Sequence, residues 1–190
     1  MAELLFRSWL PPEADVNISS AGVQALLGHG IDRSSASALG QLGIDPSQHR
    51  ARQFEPWMAV DADLILTAER AHRDQVMTEL PSAFRRTFTM KEFARLSRHV
   101  GSGNPKEVIA EIAGIRAIDG PVPEDDDNMP DPYRGRIKQA TSIAQQVSAT
   151  VRATISVLGL VADRPNVTSV ASAAVAGATG VPSRPRPLPR

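Results

Sequence analysis

The chain has 190 residues, 42% apolar and 4% aromatic, so Val, Ile, Leu and Ala must fill most of its core. The formal net charge is zero, which excludes a global electrostatic pull toward nucleic acid or an anionic membrane. There is no Cys, which excludes disulfides, thiolate metal sites and a Cys nucleophile within these residues. No apolar run reaches the length of a membrane span and no signal peptide precedes the first helical pattern, so the expected location is the cytoplasm.

Met1 opens directly on a helical pattern, with Ala2, Leu5, Phe6 and Trp9 at helical spacing and Pro11-Pro12 to end it. Residues 16–20, VNISS, alternate in polarity like a short strand. Residues 34–42 read as a helix stopped by Gly43. DLILT at 63–67 is nearly continuous in apolar character, as in a strand buried on both faces. A helix over 69–80 follows, with Val76, Met77 and Leu80 on its apolar side, and residues 86–90 suggest another short strand. Asn104-Pro105-Lys106-Glu107 resembles a helix start with Pro at the first position, and Val108, Ile112 and Ile115 mark one face of that helix. Residues 120–135 form a loop rich in Pro and Asp. Beyond it Ile137, Ala140, Ala144, Val147, Val151, Ile155 and Leu158 recur at helical steps. Strands alternating with helices predict an α/β sandwich with a mainly parallel sheet. The expected domain covers 1–161; residues 162–190, rich in Ala, Ser, Pro and Arg, have the composition of a disordered tail.

Few residues suggest chemistry. The four His are scattered, with no ligand spacing, and no metal or cofactor is expected. GHG at 28–30 and GSGN at 101–104 read as turns rather than phosphate cradles. Arg50, Arg52, Arg70, Arg73, Arg85 and Arg86 read as ordinary surface charge, and Asp125, Asp126 and Asp127 as a solvated run. Asp131 stands out. Pro132 restricts its backbone to extended conformations, which fixes the direction of its carboxyl group, and Tyr133 follows.

Several segments together resemble the low-molecular-weight protein tyrosine phosphatases of bacteria. They are SSAG at 19–22, GID at 43–45 followed by HRARQ at 49–53, DADLILTAERAHRDQV at 61–76, RRTFTMKEFARL at 85–96 and MPDPYRG at 129–135. The resemblance runs over about residues 1–160. It implies a three-layer α/β sandwich around a four-stranded parallel sheet. It also implies hydrolysis of phosphotyrosine proteins through a phospho-cysteine intermediate. In that mechanism a C-x5-R-S loop cradles the phosphate, its thiolate attacks phosphorus, and an Asp protonates the departing tyrosine oxygen. By motif position Asp131 is that acid, and Tyr133 would line the pocket rim and stack on the substrate ring.

The departure lies at the other end. Met1-Ala2-Glu3 resembles the segment that follows the C-x5-R-S loop, so the nucleophile, the phosphate-binding Arg and the first strand would all precede Met1. The chain as written is therefore expected to be inactive unless its true start lies upstream. The missing strand would be central in the sheet, so a shortened chain is also expected to be marginally stable. The alternative is a non-catalytic pseudophosphatase or fragment that binds a partner. Arsenate reduction, which shares this fold, needs further downstream Cys for its disulfide relay, and there are none.

Overall fold

The computed structural model describes residues 1–133 and 135–160. The expected tail over 162–190 lies outside the described residues. Helix α1, Ala2–Trp9, begins and ends where the sequence pattern indicates. Helix α2, Arg33–Gln41, is capped by Asp32, whose carboxylate accepts from the Ser34 and Ser35 amides. It stops at Gly43, whose φ of 74° lies in the left-handed region that favours glycine. A short helix α3, Trp57–Val60, leads to strand β1, Ile65–Thr67. Helix α4, Arg70–Glu79, and a 3-10 helix, Pro81–Arg86, return the chain to strand β2, Thr87–Thr89. Helix α5, Met90–Leu96, follows without a break.

The remaining elements are helical. Helix α6, Pro105–Ile118, starts as expected with Pro105 in its first turn and the Asn104 side chain accepting from the Lys106 amide. A one-turn helix α7, Glu124–Asp127, interrupts the acidic loop. Helix α8, Ile137–Val157, closes the domain.

Strands β1 and β2 pair in parallel, with Ile65 opposite Thr87, Leu66 opposite Phe88 and Thr67 opposite Thr89. The crossover through α4 makes a βαβ unit. The expectation of a fully buried β1 is only partly met: Thr67 is buried, whereas Ile65 and Leu66 are half-buried. All of β2 is buried instead. The strand expected at 16–20 does not form. Its alternation survives, with Val16, Ile18 and Ser20 half-buried and Asn17 and Ser19 exposed. Its carbonyls, however, are taken by side chains. Arg7 donates to the Ile18 carbonyl at 2.7 Å and Arg52 to that of Ser20 at 2.9 Å. Among the described residues, the strand-like contact nearby is an isolated parallel bridge between Gly22 and Gln53.

The apolar stripe of α8 forms the floor of the domain. Ile143, Val147, Val151 and Ile155 join Leu5, Leu39, Met90 and Met129 in one cluster. Val157 and Leu158 join Phe88, Phe93, Val108 and Ile112 in the other. Leu66 of β1 packs against both, so the sheet seals the seam between them. Phe88 and Phe93 meet edge to face with centroids 5.3 Å apart. Arg116 of α6 lies 4.4 Å from the Phe88 ring centroid and 4.5 Å from that of Phe84. It also donates to the carbonyls of Thr87 and Phe84 at 2.7 and 2.6 Å. Burial, the main influence, holds this guanidinium below its ordinary pKa.

Helix α6 provides an internal comparison. Ile112 is fully buried and Ile118 is 86% exposed. Ile112→Ala should cost about 2–5 kcal/mol, and Ile118→Ala less than about 0.5 kcal/mol, in urea unfolding of the same chain.

Candidate active site

Two groups of the resembling segments come together in space. The first forms around the opening turn of α1. Glu3 is buried, and its carboxylate accepts a short hydrogen bond from the Ser20 hydroxyl. Arg7, one helical turn on, approaches the same carboxylate at 2.8 Å, and His49 Nδ1 lies 3.6 Å away. Arg52 holds the Ser20 carbonyl, and Gln53 donates to the Val23 carbonyl at 2.7 Å. Ser20 of SSAG, held by Arg52, and His49 of HRARQ thus brace the start of α1, while Gln53 ties HRARQ to residues 23–25. The His49 imidazole is held below its ordinary pKa, chiefly by burial and also by neighbouring positive charge, against the opposing pull of Glu3.

The second group lies where β1 runs into α4. The Met129 amide donates to the Ala68 carbonyl at 2.8 Å, so the acidic loop is pinned just past the carboxyl end of β1. In parallel α/β sheets this is the end where ligands bind. Asn128 accepts from the Arg70 amide at 2.8 Å, which satisfies an orphan donor at the start of α4 from across the fold. Met129 is buried in the cluster against which Met1 also packs, so the loop and the start of α1 share one core.

Asp131 and Tyr133 follow directly, and both are exposed. Asp131 Oδ1 accepts from the Tyr133 amide at 2.9 Å, an Asx-type turn that orients the carboxyl group. The Gly135 amide donates to the Pro132 carbonyl at 2.9 Å, and a Cβ at Gly135 would come within 3.0 Å of that same oxygen. Glycine therefore permits this turn by its lack of a side chain. Asp32, Arg33, Ser34, Gly135, Arg136 and Ile137 line a shallow concavity beside the loop.

Asp127 corrects the reading of 125–127 as a solvated run. Asp125 and Asp126 are exposed, but Asp127 is only 2% exposed. One of its oxygens pairs with Arg70 at 2.6 Å and the other approaches Arg95 at 3.5 Å. Asp127 in turn raises the pKa of the Arg70 guanidinium. A uniform run of acids gives no sign of which one faces inward; the turn made by α7 decides it. The Arg residues expected as surface charge are largely structural. Arg73 pairs with the buried Glu92 at 3.3 Å, and Arg86 donates to the Val60 carbonyl at 3.0 Å. Glycine at 28, with φ of 72°, sits in a turn as expected, whereas the Gly103 amide bonds the Val157 carbonyl at the end of α8.

Comparison with known proteins covers the first group and the β1–α4 side of the second. Residues 1–108, more than half of the chain, match the family described as low molecular weight phosphotyrosine protein phosphatase. The chain belongs to that family. It is 35% identical over 92 residues to the probable low molecular weight protein-tyrosine-phosphatase EpsP of Ralstonia nicotianae, covering 48% of this chain and 61% of that protein. It is 35% identical over 81 residues to the Escherichia coli phosphatase Etp, covering 43% of this chain and 53% of that protein. The chain thus spans little more than half the length of these curated relatives. Among solved structures it is similar to the tyrosine phosphatase AmsI of Erwinia amylovora, with a TM-score of 0.59, 21% identity, and coverage of 81% of this chain and 80% of that one. It is equally similar to the YwlE arginine phosphatase of Geobacillus stearothermophilus, with a TM-score of 0.59, 22% identity, and coverage of 80% and 79%. These likenesses define the fold. The matched family segment ends before Asp131.

The lowered His49 pKa fixes a direction for stability. An unfolded His titrates near about 6.5, above the folded value, so the unfolded chain binds more protons as pH falls. This contribution is therefore present above about pH 6.5 and is lost as pH falls toward the folded value. Urea midpoints should fall between about pH 7.5 and 5.5, and His49→Gln should flatten that fall.

Proposed function

We propose that the chain forms the scaffold and the proton-donating half of a phosphotyrosine phosphatase, with Asp131 as general acid and Tyr133 at the pocket rim. The observation that carries this reading is the pinning of the acidic loop by Met129 at the carboxyl end of β1. It presents Asp131 at the end of the sheet where ligands bind, on the core shared with the start of α1. The Asx turn supports the same role. One carboxyl oxygen accepts the Tyr133 amide, and the proposed role assigns the transferable proton to the other.

In the first step a thiolate sulfur bonds to phosphorus as the bond from phosphorus to the tyrosine oxygen breaks. Asp131 gives its proton to that oxygen. In the second, Asp131 takes a proton from water as the water oxygen attacks phosphorus and the sulfur leaves. No residue here can supply the thiolate, since there is no Cys in these residues. Turnover therefore requires a C-x5-R-S loop joined ahead of α1, whose N-terminus would direct its positive end at the phosphate. No metal or organic cofactor enters either step. The partner is a phosphotyrosine protein in the cytoplasm. The alternative is a non-catalytic, partner-binding relative.

Two measurements test the proposal. The 190-residue chain should not turn over phenyl phosphate above background. With a C-x5-R-S loop placed ahead of α1, Asp131→Asn should lower kcat/KM, which reports the step in which the leaving group departs, by roughly 10²–10⁴-fold on phenyl phosphate, and by less on 4-nitrophenyl phosphate, whose oxygen leaves without help. Asp125→Asn and Asp126→Asn should leave both rates unchanged. Equal losses on the two substrates would remove Asp131 from the role of acid.

A further inference from the structure

Asp127 is the least exposed carboxylate of the acidic loop, and the proton-transfer steps do not use it. It sits at a junction of elements. Arg70 reaches it from the first turn of α4 through Nη2 at 2.6 Å and Nε at 3.1 Å. The same Nη2 donates to the Val122 carbonyl at 3.0 Å, on the incoming arm of the loop. From α5, Arg95 approaches the other Asp127 oxygen at 3.5 Å and pairs with Asp119 at the end of α6. Lys91, also on α5, donates to the Asp125 carbonyl at 3.2 Å. A single carboxylate thus joins α4, α5 and the loop.

The chain beyond Asp127 is stiff. The Asn128 side chain caps α4, and the Met129 amide holds the end of β1. Met129 precedes Pro130, and Asp131 precedes Pro132. Each proline fixes its own φ and biases the residue before it toward extended backbone. Few torsions are left between the anchored residues and the Asp131 carboxyl group. A shift at the anchor should therefore reach Asp131 and Tyr133 rather than dissipate along the loop.

We propose that Asp127, clamped between Arg70 and Arg95, is the positioning residue of the acid loop and sets where Asp131 and Tyr133 are presented. The functional meaning of this role rests on the reading of Asp131 as general acid, but the structural claim can be tested without turnover. The competing account is that Asp127 belongs to an ordinary buried ion pair that affects stability alone.

Tyr133 is the only tyrosine in the chain, so 3-fluorotyrosine labels that position alone. The experiment is fluorine NMR of the labelled 190-residue chain, with amide hydrogen exchange followed by peptide. Asp127→Asn keeps the side-chain shape but removes the charge that holds both guanidinium groups. It should shift or broaden the Tyr133 resonance and speed exchange across residues 122–135 by about tenfold or more, while α8 stays protected. Arg70→Lys keeps the positive charge but loses the fork that grips Asp127 and Val122, and should move the resonance in the same way. It decides the matter if Asp127→Asn does not fold. Val76→Ala, which empties core space on α4, should lower stability and leave the resonance in place. An unmoved resonance in the folded Asp127 and Arg70 variants would overturn the proposal. So would an equal shift in Val76→Ala. Either result would leave the Asp131 reading intact, because that reading stands or falls on leaving-group dependence.

Discussion

The buried stripe of α8 is the constraint on which the other elements depend. Strands β1 and β2 are short, and a pair of strands in water is at best marginal on its own. Helices α1, α2 and α5 pack on α8, and its last turn reaches the cluster around Phe88 and Ile112. The stripe is built from Ala as well as Ile and Val. Ala140 and Ala144 meet Ala38 of α2, so α2 can lie close against α8 where bulkier side chains would hold it away. The parallel pair lies between this helical floor and helix α4, as an α/β sandwich requires, and Leu66 touches both apolar clusters.

Polar groups then fix what the apolar floor leaves free. Apolar contact sets how elements pack but is indifferent to small rotations of a loop; hydrogen bonds with defined geometry are not. The two polar centres, Glu3 and Asp127, are both nearly buried carboxylates contacted by more than one basic group. Each braces one of the two groups: the start of α1 and the acidic loop. Burial of such charges earns little net stability, because desolvation offsets most of the attraction. Their value is geometric. Removal of one partner leaves a charge stranded, so the arrangement resists alternatives.

The helices were legible in the sequence because their signals are local. Pro11-Pro12 after α1, Gly43 after α2 and Asn104-Pro105 before α6 each act within a turn of the residues they control. A further local signal was available at Thr89-x-x-Glu92, where the Thr89 hydroxyl accepts the Glu92 amide and Glu92 accepts the Thr89 amide, both at 3.1 Å. It marks the junction of β2 with α5. Residues 16–20 carried a true alternation, yet alternation specifies only which side chains face inward. A ladder also needs a partner strand, and here Arg7 and Arg52 occupy the carbonyls instead.

The acidic run shows why the site was harder to read than the fold. Asp125, Asp126 and Asp127 are chemically identical in sequence, and nothing within several residues distinguishes them. What separates them is Arg70 and Arg95, which lie 57 and 32 residues away along the chain. Asp131 stood out in the sequence for the opposite reason. Its neighbours Pro130, Pro132 and Tyr133 restrict and orient it locally, so its direction is written beside it. An acid that must move a proton needs exposure and aim, which local sequence can encode. An acid that must hold a loop needs burial and counter-charge, which only the folded chain can supply. On the proposed reading the DDDNMPDPY segment contains one of each, joined by a short, proline-stiffened link.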